Sequence, residues 1–274
     1  MNTFISLMVG LFLLGLMLGS FLNVCVYRLP KDESVLFGRS YCPNCHETIA
    51  WHDNIPLLSY IFLGGRCRHC GAGIPLGEPA WELVSGLILL GCGIWWYRSG
   101  SLQWINFSVC SAFILICLTA SRIDLHESII PNEINYLFTV SGLGLGFVTH
   151  YPLSVGSDLI FNPGQFIVSL VGAVVGGGFF FTLAVISPLI YGKPALGMGD
   201  VKLMAGVGAW LGARLVVFTI AVGSMFGALI GTGLMLYQGK SLRTEIPFGP
   251  FLCMGAVLGL VAGDPIINWY LNLL

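Results

Sequence analysis

The stretch ALGMGDVKL (residues 195–203) lies between two of the most apolar runs in the chain. Its acid, Asp200, follows two glycines, Gly197 and Gly199. A carboxylate beside a membrane span is costly unless it has a partner or a function. These nine residues alone leave two interpretations open. Asp200 caps a helix that begins at Val201, or it takes part in chemistry at the membrane edge.

The composition is that of a membrane protein. Of the 274 residues, 56% are hydrophobic and 9% are charged, and the mean hydropathy is +0.86. A soluble domain carries about 25% charged residues. We therefore predict an all-α polytopic membrane protein embedded in a lipid bilayer. The net charge of −1 gives no indication of a nucleic-acid partner.

Apolar runs predict about eight transmembrane helices, since a bilayer core needs about 20 apolar residues per helix. The first run lacks the basic start and the small-residue cleavage site of a signal peptide, so we expect it to be retained. The sixth run is short. The predicted spans are 4–27, 81–97, 102–121, 133–150, 165–190, 203–213, 215–237 and 248–271.

The distribution of Lys and Arg predicts the orientation. With eight spans and the N-terminus outside, the outer segments hold only Arg98 and Arg214, and loop 151–164 is the main outer connection. Omitting the sixth span reverses the side of the C-terminal cations. The cations placed inside are Arg28, Lys31, Arg39, Arg66, Arg68, Arg122, Lys193, Lys202, Lys240 and Arg243.

Residues 28–80 form a polar insert between the first two spans. We predict three parts: a first helix (1–27), this cytoplasmic domain (28–80) and a transmembrane core (81–274). An insert of this length buries little core and needs a staple such as a metal.

Two C-x2-C pairs within the insert predict that staple. Cys42 and Cys45 form one pair, Cys67 and Cys70 form the other, and 21 residues separate the pairs. Two such turns present four thiolates to one tetrahedral Zn²⁺. Four thiolates close the site, so we expect structural zinc. Idle thiols and a redox pair are the alternatives, and three histidines are alternative ligands: His46, His52 and His69. The remaining five cysteines lie singly in apolar segments, as small buried residues do.

Two aspartates fall on the same predicted side of the membrane. Asp124, in SRIDLHESIIPNEI, ends an apolar span, and Glu127 follows one turn later. Pro131 ends the helical run and Asn132 suits the cap of the next helix. Asp124 is either a solvated acid, a partner of a nearby cation, or a reactive group. The acids assigned to this edge are Asp124, Glu127, Glu133, Asp200 and Glu245.

Paired with Asp200, Asp124 suggests aspartic-protease chemistry. Two close carboxylates share one proton and titrate as a unit. The ionised one activates water as a general base, while the protonated one stabilises the developing oxyanion. The glycines before Asp200 allow an extended substrate backbone to approach. A proton or ion relay in a transporter is the alternative from another class of protein.

The chain resembles the bacterial type IV prepilin peptidases, also called leader peptidase/N-methyltransferases. The resemblance covers nearly the whole chain, and its specificity lies in the order of six stretches. These are GSFLNVCVYRLP, CPNC, DNIPLLSYIFLGGRCRHCG, IDLHESIIPNEI, GMGDVKLMAGVGAWLG and IPFGPFL.

The resemblance implies a GxGD-type intramembrane aspartic protease of the bacterial inner membrane. Its catalytic aspartates fall on Asp124 and Asp200, and its zinc ligands fall on the four cysteines of the two pairs. It implies cleavage of type IV prepilins or type II secretion pseudopilins after a glycine, on the cytoplasmic side. It also implies N-methylation of the new terminal residue, usually phenylalanine, with S-adenosylmethionine. Lys202 matches a lysine of the family motif, where it biases the aspartates or contacts lipid headgroups.

The resemblance has one departure. Where the family commonly reads close to RYPLVE, this chain reads GEPAWE (77–82), which keeps Glu82 but replaces Arg-Tyr by Gly77-Glu78. The region is associated with the methyltransferase half of the family. A peptidase without methylation, with residues 28–80 as a substrate-docking zinc module, is therefore the closest alternative.

Overall fold

The computed structural model describes residues 2–98, 104–146, 163–192, 196–238 and 247–273. Most of the predicted outer loop 151–164 lies outside these residues. So do four of the charged residues used above: Lys193, Lys240, Arg243 and Glu245.

The described residues are almost entirely helical, which confirms the predicted fold class. They contain no strand beyond two isolated bridges in the insert. Short 3₁₀ turns follow the first helix and precede the second, and a π-helical segment, Gly259–Gly263, joins the last two helices. The α-helices are α1 Asn2–Arg28, α2 Leu58–Phe62, α3 Gly77–Arg98, α4 Trp104–Glu127, α5 Asn132–Leu145, α6 Pro163–Tyr191, α7 Met198–Gln238, α8 Gly249–Leu258 and α9 Asp264–Leu271.

The predicted count of eight spans is approximate. Within the described ranges, six helices are long and apolar enough to cross a membrane. The predicted fourth span is the 14-residue α5, which is shorter than the roughly 20 residues a span needs. The predicted sixth and seventh spans are parts of one helical element, α7.

Helix α7 folds back on itself at Gly212. This residue has φ 74° and ψ 172°, a backbone conformation open essentially to glycine alone. Met204 and Val216 both contact the position that a Cβ would take at Gly176 of α6. Residues twelve apart in a straight helix are separated by about 18 Å, so α7 has two arms. The arms correspond to the predicted runs 203–213 and 215–237.

The chain divides into two compact units, Met1–Ser111 and Ala112–Leu274. In the first unit α1 and α3 pack through glycines. A Cβ at Gly15 would lie 2.7 Å from Gly86 Cα, and one at Gly19 would lie 2.7 Å from Glu82 Cα. These close backbone approaches are the packing expected of small residues spaced four apart in membrane helices.

The second unit is built around α7. Three rings from α4, α5 and α7 form its aromatic centre, with centroids 5.2 to 5.6 Å apart: Phe113, Phe138 and Trp210. The Trp210 indole N–H donates to the Phe138 carbonyl at 2.8 Å, so this buried polar group is satisfied. Gly172 and Gly208 meet backbone to backbone, which brings α6 against the first arm of α7.

Candidate active site and metal centre

Asp124 is a buried acid held by the start of another helix. It lies near the end of α4 and is 5% exposed. Its Oδ2 accepts the backbone N–H of Gly249 at 2.9 Å. Gly249 is the first residue of α8, so its N–H has no partner within that helix. The positive end of the α8 dipole therefore faces the Asp124 carboxylate.

Asp200 occupies the first turn of α7 and is partly exposed. The expectation that it caps a helix beginning at Val201 is wrong, because α7 already begins at Met198. Its carboxylate reaches back to the loop, where the backbone of Gly197 hydrogen-bonds to it. An acid at the third helical position that bonds to the residue before the helix is a capping arrangement. Each aspartate therefore faces the start of a helix, α8 for Asp124 and α7 for Asp200, and each contacts a glycine backbone.

Ile130 joins the two aspartate positions. Its Cδ1 would lie 3.2 Å from a Cβ at Gly249, and its Cβ would lie 3.3 Å from a Cβ at Gly199. Gly249 donates to Asp124 and Gly199 precedes Asp200, so this one buried side chain lies beside both the donor to Asp124 and the start of the helix of Asp200. The two carboxylates interact electrostatically. The structure therefore brings the two predicted acids into one site.

The neighbouring acid does not share that environment. Glu127, one turn after Asp124 and on the same helix, is exposed. The two acids lie one turn apart on α4, but they differ in exposure, because the start of α8 covers Asp124 and not Glu127.

Lys202 bonds to the first residue of α5. Its ammonium donates to Asn132 Oδ1 at 2.6 Å and lies 5.6 Å from the Tyr136 ring centroid. The prediction that Asn132 caps α5 is wrong, because Pro131 occupies the cap position and makes no side-chain bond. The Asn132 side chain instead connects the start of α5 to α7, the helix of Asp200.

The four predicted metal ligands form one cluster. The thiol sulfurs of Cys42, Cys45, Cys67 and Cys70 lie within 4.8 Å of one another. The Sγ atoms of Cys42 and Cys70 are 3.9 Å apart, close to the roughly 3.8 Å between two thiolates on one tetrahedral zinc ion. The cluster could therefore hold a metal ion.

The two cysteine pairs adopt the same turn. In the first, Cys42 N–H donates to Glu47 O and the carbonyl of Cys42 accepts from His46 N–H. Twenty-five residues later Cys67 bonds to Ala72 and Gly71 in the same way. His46 (φ 57°) and Gly71 (φ 70°) occupy equivalent left-handed positions.

None of the three histidines joins the described cluster. His46 stacks against the Tyr41 ring with centroids 6.0 Å apart, and His52 faces Asp53 at 3.8 Å. The metal-ligating group that the described residues form consists of the four cysteines.

Backbone donors favour thiolates in the cluster. The Ala72 N–H, followed by the Asn44 amide, lowers the pKa of the Cys70 thiol to about 6. Backbone N–H groups, that of Cys45 first, also lower the pKa of Cys42. Asn44 Nδ2 lies 3.5 Å from Cys70 Sγ. The Glu47 N–H lowers the pKa of Cys45, but desolvation and the neighbouring thiols outweigh it and raise this pKa to about 11. Thiolates are the form that binds metal, so the turns prepare Cys42 and Cys70 for a cation.

Two further features were missed from sequence. The Gly249 donor lies within IPFGPFL, a stretch that sequence reasoning quoted without assigning it a role. In the first unit, Glu82 Oε2 accepts the N–H of Leu57 at 2.8 Å. Leu57 has φ 60° and ψ −45°, a γ-turn conformation that is strained for leucine, and no local pattern signals it.

Comparisons with known proteins agree with these features. A family model described as the bacterial peptidase A24 N-terminal domain matches residues 13–96, and one described as the type IV leader peptidase family matches residues 111–232. No solved structure matches the chain.

Three relatives are named prepilin leader peptidase/N-methyltransferase. The protein of Aeromonas hydrophila is 32% identical over 95% of this chain and 92% of its own. That of Legionella pneumophila is 34% identical, covering 98% and 95%. That of Bacillus subtilis is 33% identical, covering 96% and 97%.

Proposed function

The chain belongs to the type IV leader peptidase family, and we propose that it cleaves prepilin leader peptides and methylates the new amino terminus. The relatives' name joins these two activities. The substrates are type IV prepilins or type II secretion pseudopilins, cut after a glycine. The methyl group passes from S-adenosylmethionine to the new terminal residue, usually phenylalanine.

The convergence of Asp124 and Asp200 on Ile130 carries the proposed peptidase activity. One carboxylate, ionised, removes a proton from the attacking water. The other, protonated, hydrogen-bonds the scissile carbonyl and stabilises its negative charge as the tetrahedral intermediate forms. Gly197 and Met198 beside Asp200 are exposed, which leaves room for an extended peptide backbone.

The four-cysteine cluster is proposed to hold one structural zinc ion. The sulfur separations suit a tetrahedral site, and four thiolates leave no position for a reacting water. Zinc bound there joins the two turns of residues 28–80, a segment too small to be stabilised by its own core. This supports a separate zinc domain (28–80) in the proposed division, in which a first helix (1–27) precedes it and a protease core (81–274) follows, although α3 packs with the first compact unit.

The protein is proposed to lie in the bacterial inner membrane with its N-terminus outside. The excess of Lys and Arg on one predicted side supports this orientation. The zinc domain and both aspartates then face the cytoplasm, where the basic leader of a prepilin is found before cleavage.

A cleavage assay on the purified enzyme tests the proposed aspartates. Asp124→Asn and Asp200→Asn keep side-chain size and remove the acid, and each should lower cleavage of a prepilin by at least about a hundredfold. Glu127→Gln is the matched control, because Glu127 is exposed on the same helix, and it should cleave at the wild-type rate. Wild-type cleavage by either aspartate variant would disprove the aspartic mechanism.

Methylation is tested separately, because Gly77-Glu78 departs from the usual family sequence. Tritiated S-adenosylmethionine is supplied with a precleaved pilin, and transfer of label to the pilin is measured. Transfer supports the bifunctional enzyme. Cleavage without transfer leaves a peptidase in which residues 28–80 dock the substrate.

A further inference from the structure

The first unit contains a cavity of about 350 Å³ that the peptidase chemistry does not use. The last turns of α1, the first turns of α3 and the two cysteine turns line it. All of these belong to one compact unit. Small-molecule sites occupy about 300–1,000 Å³, so the cavity suits a ligand of nucleoside size.

The lining carries more negative than positive charge. Asp53 is neutralised by the Arg68 guanidinium, whose Nη2 and Nε lie 2.5 and 2.6 Å from its oxygens. Arg28 is buried and donates to main-chain carbonyls of the loop that follows α1. The lining acids are Glu47, Asp53, Glu78 and Glu82, and the lining guanidinium groups are those of Arg28 and Arg68. The excess of two carboxylates favours a cationic ligand.

Glu82 is held in place by the backbone of the insert. Its Oε2 accepts the N–H of Leu57 at 2.8 Å, and Leu58 N–H donates to Pro56 O at 2.7 Å across the γ-turn. A strained backbone persists only where its surroundings hold it. Glu82 is therefore fixed between α3 and a strained turn, at a place where both it and Leu57 line the cavity.

Apolar and aromatic groups form other parts of the wall. Tyr27 and Tyr60 both line the cavity, together with Val24 from α1 and Leu63 from the insert. The Tyr60 ring lies against Gly65, where a Cβ would be 2.8 Å from the phenol oxygen. The Lys31 ammonium covers one face of the Tyr27 ring, 3.6 Å from its centroid. The remaining aromatic surface beside carboxylates suits a ligand that combines a purine with a cation.

The location also suits a membrane-bound substrate. Val24 lies near the end of α1 and Glu82 near the start of α3, and both helices are long enough to span the bilayer. The cavity therefore lies where two spans leave the membrane. A pilin helix embedded in the bilayer presents its new amino terminus at a membrane surface.

We propose that this cavity binds the methyl donor, S-adenosylmethionine, with Glu82 facing its cationic sulfonium or ammonium group. The inference rests on the methylation proposed above and assigns its donor site. The pilin amine forms the new N–CH₃ bond with its lone pair, and the S–CH₃ bond breaks with its electron pair left on sulfur. The methylated amine then releases one proton to water.

The negative charge of the lining should make the cavity bind the methyl donor more tightly than the demethylated product. The donor carries a sulfonium, an ammonium and a carboxylate, so its net charge is positive, whereas the product thioether, S-adenosylhomocysteine, is neutral overall. The carboxylates therefore bind donor more tightly than product. Replacing Glu82 should weaken donor binding more than product binding.

Equilibrium binding of tritiated S-adenosylmethionine to the full-length enzyme in detergent or nanodiscs tests this site without relying on turnover. Glu82→Gln keeps an acceptor for Leu57 and removes the charge, and it should weaken donor binding roughly tenfold and reduce the preference over S-adenosylhomocysteine. Val24→Trp fills the cavity from α1 and should abolish binding. Leader cleavage should stay within about twofold of wild type in both variants.

Matched control variants test whether the loss of donor binding is specific to changes in the cavity. Asp32→Asn removes an exposed acid outside the lining, at a left-handed position that asparagine tolerates. Leu14→Trp places a tryptophan at a 47% exposed position on the same helix, α1. Both should bind the donor as wild type does. If wild type binds the donor and both cavity variants bind it equally well, the donor site lies elsewhere and the proposed methylation stands. If wild type neither binds nor transfers, both proposals fall.

Discussion

The backbone N–H of Gly249 donates to Asp124 Oδ2 at 2.9 Å, and a Cβ at Gly249 would lie 2.7 Å from that same oxygen. The contact therefore requires a glycine for space, since Gly249 has an ordinary helical backbone at the start of α8. In the second unit, the backbone N–H of a residue without a side chain therefore holds the buried carboxylate of Asp124. Any side chain at position 249 must displace it.

We predict that Gly249→Ala lowers leader cleavage about 10- to 100-fold, because displacing a reacting group by up to 1 Å costs on this scale. The loss should fall on kcat, with KM nearly unchanged, since Asp124 does not hold the remote parts of the substrate. Gly178→Ala on α6 is the control, because nothing lies within 4 Å of a Cβ there. Equal rates for the two variants would contradict a role for the contact.

The sequence alone predicted the two aspartates and the four cysteines, but it did not predict the contacts that hold them in place. Apolar periodicity and charge identified Asp124 and Asp200 as acids at span ends, and thiol spacing identified the cysteine cluster. Each of these signals lies within a short stretch of sequence, so it can be recognised without knowledge of the fold. The Gly249 contact joins residues 125 positions apart, and nothing in either segment specifies its partner.

The span count shows a second limit. Hydropathy divides the chain near residue 214, but it does not distinguish two membrane helices from one folded helix. The backbone conformation of Gly212 decides this. Likewise, hydropathy predicted a fourth span over 133–150, of which residues 147–150 lie outside the described ranges, and α5 ends at Leu145. Tertiary packing against α7 stabilises this shorter helix, and apolar length does not reveal it.

Gly212→Ala should destabilise the second unit by about 1–3 kcal/mol, because alanine is strained at φ 74° and ψ 172°. Thermal unfolding in detergent measures the effect as a lower midpoint. Gly144→Ala on α5 is the control, since its Cβ meets nothing within 4 Å and alanine favours a helix over glycine. A Gly212→Ala protein as stable as wild type would show that α7 does not turn back there.

Removing the metal should separate the two activities. Cys45→Ser or Cys67→Ser is expected to lower the zinc content below half an equivalent and to abolish methyl transfer, because Cys42 and Cys67 line the cavity proposed for the donor. Leader cleavage should persist, since the aspartates lie in the other unit. Cys92→Ser, outside the cluster, should retain zinc and both activities. Elemental analysis measures the zinc content, and assays of methyl transfer and leader cleavage are run on the same preparations. A folded, zinc-free protein that cannot cleave the leader would contradict the separation of the two activities.

The Cys70 thiol should titrate near pH 6 in zinc-free protein, because the Ala72 N–H and the Asn44 amide stabilise its thiolate. The folded-state pKa is depressed, so this stabilisation is fully present above the unfolded value, about 8.5, and is lost as the pH falls through about 6. Alkylation of Cys70 by iodoacetamide, followed by peptide mapping, should show a midpoint near 6. Asn44→Ala should move that midpoint upward, because it removes the largest side-chain contribution to the lowered pKa of Cys70. A wild-type midpoint near 8.5 would show that the turn does not favour the thiolate.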